Sequence, residues 1–139
     1  MKFARVVFLG AGIWGIAILT PLYFLFDTIG SQHASPITYP QFYYGFTGVA
    51  MAWQFAFIVI GWDPIRFRLM MIPSMAEKLT YGLTMGILYS QGRMTFAELS
   101  PVFPDLLICA LFAVAFAKTS ESSVQTRHAF GAITEGLRE

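Results

Sequence analysis

Long stretches without a charged residue dominate the chain, and they set the expected secondary structure. The first covers residues 6–26 and the second covers residues 41–62. At 1.5 Å per residue, a helix over either stretch is about 31 to 33 Å long, which is enough to cross the hydrocarbon core of a bilayer. We therefore predict transmembrane helices over 6–26 and 41–62, joined by the polar stretch 27–40.

A third, shorter apolar run follows a helix-start pattern. Ser74, with Glu77 three residues later, matches a capping box, and Pro73 precedes it as a helix breaker. The pattern predicts a helix over 75–91, with Gly92 as its C-terminal stop. Its length of about 25 Å is at the short end of the range for a membrane span.

The fourth apolar run is also short. Thr95 and Glu98 repeat the capping pattern over a brief turn, and Pro101 opens a run over 101–117. The predicted fold class is all-α: a polytopic membrane protein with a four-transmembrane-helix antiparallel bundle over 1–118. The remainder, 119–139, is expected to be a polar cytoplasmic tail, either mobile or lying on the membrane surface.

Composition agrees with this assignment. Of 139 residues, 56% are hydrophobic and 12% are charged, whereas soluble domains are typically about 25% charged. The net charge of +1 and the lack of a clustered basic face argue against a nucleic-acid partner. Membrane lipids are the expected surroundings.

The distribution of basic residues predicts the orientation, because Lys and Arg are retained on the cytoplasmic side. Arg93 alone falls on one side of the predicted spans. The other side holds seven basic residues: Lys2, Arg5, Arg66, Arg68, Lys78, Lys118 and Arg127. We expect a multi-pass protein with cytoplasmic N- and C-termini. Arg66 and Arg68 are expected to lie in a short amphipathic segment at the lipid-headgroup interface, after a cap formed by Asp63 and Pro64.

Each predicted span carries two small residues at four-residue spacing, a pattern that lets helix backbones approach closely in lipid. Such a stripe favours a compact bundle, and it would equally serve a homo-oligomer. The predicted helix-packing positions are Ala11 and Gly15, Gly48 and Ala52, Gly82 and Gly86, and Ala113 and Ala117.

Glu77 and Lys78 are adjacent charges beside the third span, and their depth decides their role. If the helix starts at Met75, Glu77 caps it and Lys78 extends to the interface. If the helix instead continues through Pro73, both residues are buried and need polar partners. The candidate internal polar site then comprises Gln54, Glu77, Lys78, Tyr81 and Asp105.

Asp105 and Gln54 each have a simpler explanation. Asp105 lies in the first turns of the fourth span, where a carboxylate complements the helix dipole, with Arg93 as an external partner. Gln54 lies within the second span, where a buried glutamine usually bonds another helix.

No cofactor, metal or catalytic motif is predicted. His33 and His128 lie outside the spans, so a bis-histidine haem within the bundle is excluded, and Cys109 is expected to be a packing residue. Asp27, His33 and the tyrosines of the same loop, Tyr39, Tyr43 and Tyr44, form a cluster that could cover the outer mouth of the bundle.

Several segments resemble a group of small bacterial four-helix membrane proteins to which no reaction is assigned. They are 36–46 (PITYPQFYYGF), Ala52-Trp53-Gln54, Asp63-Pro64-Ile65-Arg66-Phe67-Arg68, Met71-Ile72-Pro73 and Glu77-Lys78. The resemblance implies a bacterial inner-membrane location. The layout is more distantly similar to DoxX-like membrane proteins, which is an analogy of fold alone.

Two functional hypotheses follow from the sequence. The first is a non-enzymatic bundle that binds a hydrophobic, lipid-like small molecule, or that joins a larger membrane complex through its small-residue faces. The second is a small membrane enzyme or carrier that uses Gln54, Glu77, Lys78 and Asp105 as an internal polar site. Convergence of these side chains on an enclosed cavity would favour the second, whereas side chains that point to headgroups or solvent would leave only a scaffold.

Overall fold

The structure, a computed structural model, describes residues 2–26, 28 and 39–136, with side chains described as far as Thr119. Every regular element in these residues is helical, which confirms the all-α fold class. In chain order the elements are α1 (Lys2–Leu22), α2 (Pro40–Trp62), a 3-10 turn (Arg68–Met70), α3 (Met71–Ser90), α4 (Phe96–Leu99) and α5 (Val102–Gly136).

Three segments are long and apolar enough to cross a membrane: Lys2–Leu22, Pro40–Trp62 and Phe96–Thr119. The first two correspond to α1 and α2, and the third joins α4 to the first half of α5. Helix α3 is of comparable length but less apolar, because it carries Glu77 and Lys78. The chain is therefore compatible with a multi-pass membrane protein.

Helices α1 and α2 form an antiparallel pair along most of their length. At one end, Arg5 Nη2 donates to the carbonyl of Trp62 at 3.0 Å. At the other end, the Tyr43 hydroxyl donates to the carbonyl of Leu22 at 2.8 Å. Both bonds satisfy last-turn carbonyls that have no partner within their own helix.

Helices α3 and α5 form a second antiparallel pair, which meets the first through α1. Thr119 Oγ1 lies 4.0 Å from Met71 Sδ, and Cys109 Sγ lies 3.7 Å from the carbonyl of Met75. Between the two pairs, α5 packs against α1, whereas α2 and α3 touch only sparsely. The bundle is thus closed on one side and loosely joined on the other.

Three phenylalanines hold the two pairs together. Phe8, Phe57 and Phe112, from α1, α2 and α5, are all fully buried. The rings of Phe8 and Phe112 stack with centroids 4.0 Å apart, and Phe57 meets Phe112 edge-on at 5.0 Å. Packing is the main force between helices in lipid, so this cluster is expected to fix the bundle at the level of the core.

The prediction that the third helix starts at Met75 is wrong, because α3 begins at Met71 and continues through Pro73. Pro73 is the third residue of the helix, where a backbone N–H has no partner inside the helix and its absence costs little. The Ser74 hydroxyl does not cap; it donates to the carbonyl of Met70 at 2.7 Å. Glu77 therefore lies inside the helix.

The predicted end of the fourth helix at 117 is also wrong. Helix α5 continues for 35 residues to Gly136, which is about 52 Å and longer than a bilayer core is thick. The polar tail thus begins as a helical extension rather than as a separate segment. The first helix is shifted as well, since α1 covers Lys2–Leu22 rather than 6–26.

Other predicted helix ends are confirmed. Thr95 and Glu98 form the capping box at the start of α4, with Thr95 N donating to Glu98 Oε2 at 2.6 Å. Gly92 follows α3 with a φ of +67°, a conformation that residues with a Cβ rarely adopt. Asp63 Oδ1 accepts from the backbone N–H of Arg66 at 3.2 Å, as a cap would.

Candidate binding cavity

A cavity of about 880 Å³ lies between the two helix pairs and is partly open to the outside. All four long helices contribute to its walls, which are mainly apolar. Trp14 and Ile18 of α1, Phe46 and Trp53 of α2, and Ile108 of α5 are typical wall residues. A cavity of this size and composition is within the range of natural small-molecule sites, about 300 to 1,000 Å³.

Three charged side chains converge on this cavity. Lys78 Nζ lies 3.1 Å from Asp105 Oδ1 and 3.4 Å from Glu77 Oε2. Glu77 and Lys78 come from α3, and Asp105 comes from the first turn of α5. We call these three residues the charged triad; the triad links the two helices of the second pair across the cavity wall.

Lys78 is the most deeply buried member of the triad. The residue is 6% exposed, and its ammonium lies 5.6 Å from the centre of the Phe57 ring. Phe57 belongs to the core cluster, so the triad rests directly on the aromatic core. Burying a charge is costly unless it is paired, and here two carboxylates and an aromatic face surround the ammonium.

Glu77 differs from its two neighbours in one respect. Its Oε2 atom is buried but has no hydrogen-bond partner among the described residues, although it lies within ion-pair distance of Lys78. The contact between Glu77 and Lys78 is therefore an ion pair without a hydrogen bond at this oxygen.

Gln54 lies on the opposite wall, and its hydrogen bond stays within α2 instead of joining another helix as expected. It is 4% exposed, and its Nε2 donates to the carbonyl of Ala50 at 3.0 Å. Its side chain lies directly against Gly15, where any Cβ would collide with it. One turn earlier, a Cβ at Gly12 would lie 2.8 Å from the Gln54 carbonyl oxygen. Small residues on α1 thus make room for the glutamine at the cavity wall.

On the sparse side of the bundle, two aromatic rings of the described residues meet between α2 and α3. The rings of Phe46, on α2, and Tyr81, on α3, are stacked with centroids 6.3 Å apart. Both residues line the cavity. Thr80 and Thr84 lie on the same wall, and their hydroxyls donate to carbonyls within α3 at 2.7 and 2.8 Å. Their polarity is thereby satisfied inside the helix.

All five residues of the predicted internal polar site, Gln54, Glu77, Lys78, Tyr81 and Asp105, therefore line one cavity. The expectation that Asp105 pairs with Arg93 is wrong, because its partner is Lys78. As predicted, Asp105 lies in the first turn of α5, where its carboxylate complements the helix dipole.

Four of the eight predicted packing positions are buried or lie close to a neighbouring side chain, and the other four are exposed. Ala11 is buried, Gly15 meets Gln54, a Cβ at Gly48 would lie 3.6 Å from the Tyr23 hydroxyl, and one at Gly82 would lie 3.0 Å from Leu106. A Cβ at Gly86 would meet nothing within 4 Å. The exposed alanines are Ala52, Ala113 and Ala117. Two close approaches were not predicted: Gly12 against Ile58 and Gly61 against Leu9.

Basic residues gather at the end of the bundle where α1 and α3 begin. The Arg68 guanidinium lies 3.9 Å from the centre of the Phe116 ring, and Lys118 Nζ lies 4.6 Å from that of Phe3. Arg66 is exposed. Of the predicted headgroup residues, Arg66 thus points outward, whereas Arg68 is folded onto α5.

Aromatic residues gather at the opposite end. Phe26 packs against Tyr43 and Tyr44, with centroids 5.1 and 5.4 Å apart, and Tyr39 meets Phe42 at 6.0 Å. Asp27 and His33, the other members of the predicted loop cluster, lie outside the described residues. Aromatic residues are typical of the membrane interface.

The described residues contain no group of three or more His, Cys, Asp or Glu side chains that could hold a metal ion. Cys109 is buried, and its thiol points to the carbonyl of Met75. No protein-family model, curated protein or solved structure matches the chain.

A further signal for the site is visible in the sequence of α3. Glu77, Thr80, Tyr81 and Thr84 follow the i, i+3, i+4, i+7 spacing of one helix face. Polar residues repeated along one face of a largely apolar helix predict that this face is turned to a cavity rather than to lipid. The pairing of Lys78 with Asp105, by contrast, depends on how α3 and α5 cross.

Proposed function

We propose that this chain is a four-span membrane protein that binds a hydrophobic, lipid-like small molecule between its two helix pairs. The observation that carries the proposal is the cavity of about 880 Å³ with the charged triad in its wall. Apolar walls with a few convergent polar groups are the usual composition of a small-molecule site. Ionisable residues within a membrane are costly and are typically retained for function.

The fourth span in this proposal is α3. Its 20 residues correspond to about 30 Å, the thickness of the hydrocarbon core. Without a partner, the charge of Glu77 or of Lys78 would oppose insertion of α3 into the membrane. In the bundle Lys78 pairs with both Glu77 and Asp105 at the cavity wall, which supports a transmembrane position despite the lower hydropathy of the helix.

The proposed orientation places the basic end of the bundle in the cytoplasm. Arg5, Arg66, Arg68 and Lys118 all lie at this end, whereas Arg93 follows α3 at the other. This asymmetry supports cytoplasmic N- and C-termini. A bacterial inner membrane as the location rests on the sequence resemblance described above.

Ligand binding can be tested with a photoreactive probe. The protein is reconstituted in nanodiscs of a zwitterionic lipid and irradiated with a long-chain alcohol that carries a diazirine in its chain. We expect saturable labelling of cavity residues, which an excess of the unmodified alcohol suppresses. Labelling confined to lipid-facing residues, without saturation, would contradict binding in the cavity.

A matched pair of variants adds a structural control. Ala76 is exposed at the cavity wall, so Ala76→Phe fills space in the cavity without displacing a packed neighbour. Ala113 is also exposed but does not line the cavity. We expect Ala76→Phe to suppress the saturable labelling and Ala113→Phe to leave it unchanged.

A second candidate function, a small membrane enzyme or carrier, is favoured by the same triad. An ammonium between two carboxylates could exchange a proton with a substrate in the cavity. Transport of a proton together with the probe, measured as a pH change inside liposomes, would distinguish a carrier from a binding protein.

A role in a membrane complex or homo-oligomer would use the exposed small residues Ala52, Gly86, Ala113 and Ala117.

A further inference from the structure

The chemistry of the cavity wall specifies the polar end of the ligand, provided that the proposed binding function is correct. We infer that the cavity selects an amphiphile whose polar end donates hydrogen bonds. A primary alkylammonium binds best, a long-chain alcohol binds less tightly, and a carboxylate or phosphate of the same chain length is rejected.

The first reason is the charge of the wall. Among the described residues that line the cavity, the charged ones are Glu77, Lys78 and Asp105. Two carboxylates and one ammonium give a formal charge of −1. Because the surroundings are apolar, this charge acts on a ligand more strongly than it would in water. A cationic end group neutralises the wall, whereas an anionic one doubles its excess charge.

The second reason is the balance of donors and acceptors. An ammonium has three donors, whereas two ionised carboxylates offer about eight acceptor sites. Lys78 Nζ is already directed to Asp105 and Glu77 and lies against the Phe57 ring. An incoming anion would have to compete for these same donors. An incoming ligand group that donates hydrogen bonds can instead use carboxylate acceptor sites, which outnumber the donors of Lys78.

The third reason is the state of individual polar atoms at the wall. Glu77 Oε2 is buried and accepts no hydrogen bond from the described residues. On the opposite wall, the Gln54 amide nitrogen already donates to the carbonyl of Ala50. On the same helix as Glu77, the Thr80 and Thr84 hydroxyls donate to carbonyls of α3. These donors of the wall therefore already have acceptors within their own helices.

The apolar part of the ligand would lie along the remaining walls. Trp14, Ile18 and Leu22 of α1 face the cavity along three successive turns, and Val49 and Trp53 of α2 continue this surface. Four-residue steps cover about 12 Å from the first to the last of the α1 residues. This length matches an alkyl chain rather than a compact polar substrate.

The test compares three diazirine probes of equal chain length in the same zwitterionic nanodiscs at neutral pH. They are a primary alkylammonium, an alcohol and a carboxylate. Half-saturation of labelling at cavity residues is measured for each by mass spectrometry. We expect the ammonium to bind at least roughly tenfold more tightly than the carboxylate, with the alcohol between them, and tenfold corresponds to about 1.4 kcal/mol.

Glu77→Gln removes one negative charge and keeps the size of the side chain. We expect it to reduce the preference of ammonium over carboxylate by roughly tenfold, again about 1.4 kcal/mol. Glu98→Gln is the matched control, because Glu98 is exposed on α4 outside the cavity and glutamine preserves a capping box. Asp105→Asn provides a second route should Glu77→Gln fail to fold.

The outcomes separate the two proposals. Equal affinities for all three probes, or tighter binding of the carboxylate, would overturn the inferred selectivity and leave hydrophobic binding intact. An ammonium preference that is unchanged in both Glu77→Gln and Asp105→Asn would also overturn the inferred selectivity and leave hydrophobic binding intact. Absence of saturable cavity labelling by every probe would overturn both proposals.

Discussion

The ion pair between Lys78 and Asp105 can be examined by a double-mutant cycle with Lys78→Met and Asp105→Asn. The pair joins α3 to α5 at 3.1 Å, and the lysine side chain is 8% exposed. Breaking a buried ion pair typically destabilises a protein by about 3 to 5 kcal/mol. The exposed fraction of the carboxylates, 24% for Asp105 and 21% for Glu77, lowers the expected cost.

The two single variants should differ. After Asp105→Asn, Lys78 keeps Glu77 at 3.4 Å, so we expect a loss of about 1 to 2 kcal/mol in the free energy of unfolding. After Lys78→Met, two carboxylates face each other without a cation, and we expect about 2 to 4 kcal/mol. The double variant should lose less than the sum, with a coupling of about 1 to 2 kcal/mol.

Unfolding can be followed by titration with sodium dodecyl sulfate in mixed micelles. Two of the three tryptophans, Trp14 and Trp53, line the cavity, so tryptophan fluorescence reports in part on the packing of this region. All four proteins are compared at the same pH and lipid-to-detergent ratio. Additive effects, within about 0.5 kcal/mol, would refute the conclusion that the two side chains interact in the folded bundle.

Two further predictions concern helix packing, and each is measured as a change in melting temperature in detergent. Gly15→Ala should lower the melting temperature through a collision with Gln54, at a cost of about 1 to 3 kcal/mol. Gly86→Ala, whose Cβ meets open space, should leave the melting temperature unchanged or raise it. Equal effects at the two glycines would contradict the packing described. Tyr43→Phe should cost about 0.5 to 1.5 kcal/mol because the carbonyl of Leu22 loses its donor; an unchanged melting temperature would indicate that water satisfies this carbonyl.

The apolar runs predicted the first two candidate membrane helices to within four residues at each end, because about twenty successive apolar residues leave few alternatives to a membrane helix. The start of α3 was mispredicted for a specific physical reason. Pro73 was interpreted as a helix breaker, yet a proline within the first turn forfeits no hydrogen bond inside the helix. The helix therefore begins at Met71, and Glu77 and Lys78 move from the expected interface into its interior.

The candidate site was only partly predictable. Its five polar residues could be proposed from the sequence, because ionisable and amide side chains are rare in apolar spans. Their arrangement could not, since the approach of Asp105 to Lys78 is set by the crossing of α3 and α5. The cavity also depends on tertiary packing, because it forms where α2 and α3 meet only sparsely. No local sequence pattern indicates where two helices will fail to pack against each other.

Whether α3 crosses the membrane is tested most directly by the accessibility of single cysteines placed beyond its two ends. In a Cys109→Ala background, Arg66→Cys lies before the start of α3 and Gln91→Cys lies immediately after its end, and both positions are exposed. With an impermeant maleimide on intact cells, we expect Gln91→Cys to be labelled and Arg66→Cys to be labelled only after permeabilisation. Labelling of both positions from the same side of the membrane would contradict the four-span bundle and the intramembrane cavity that depends on it.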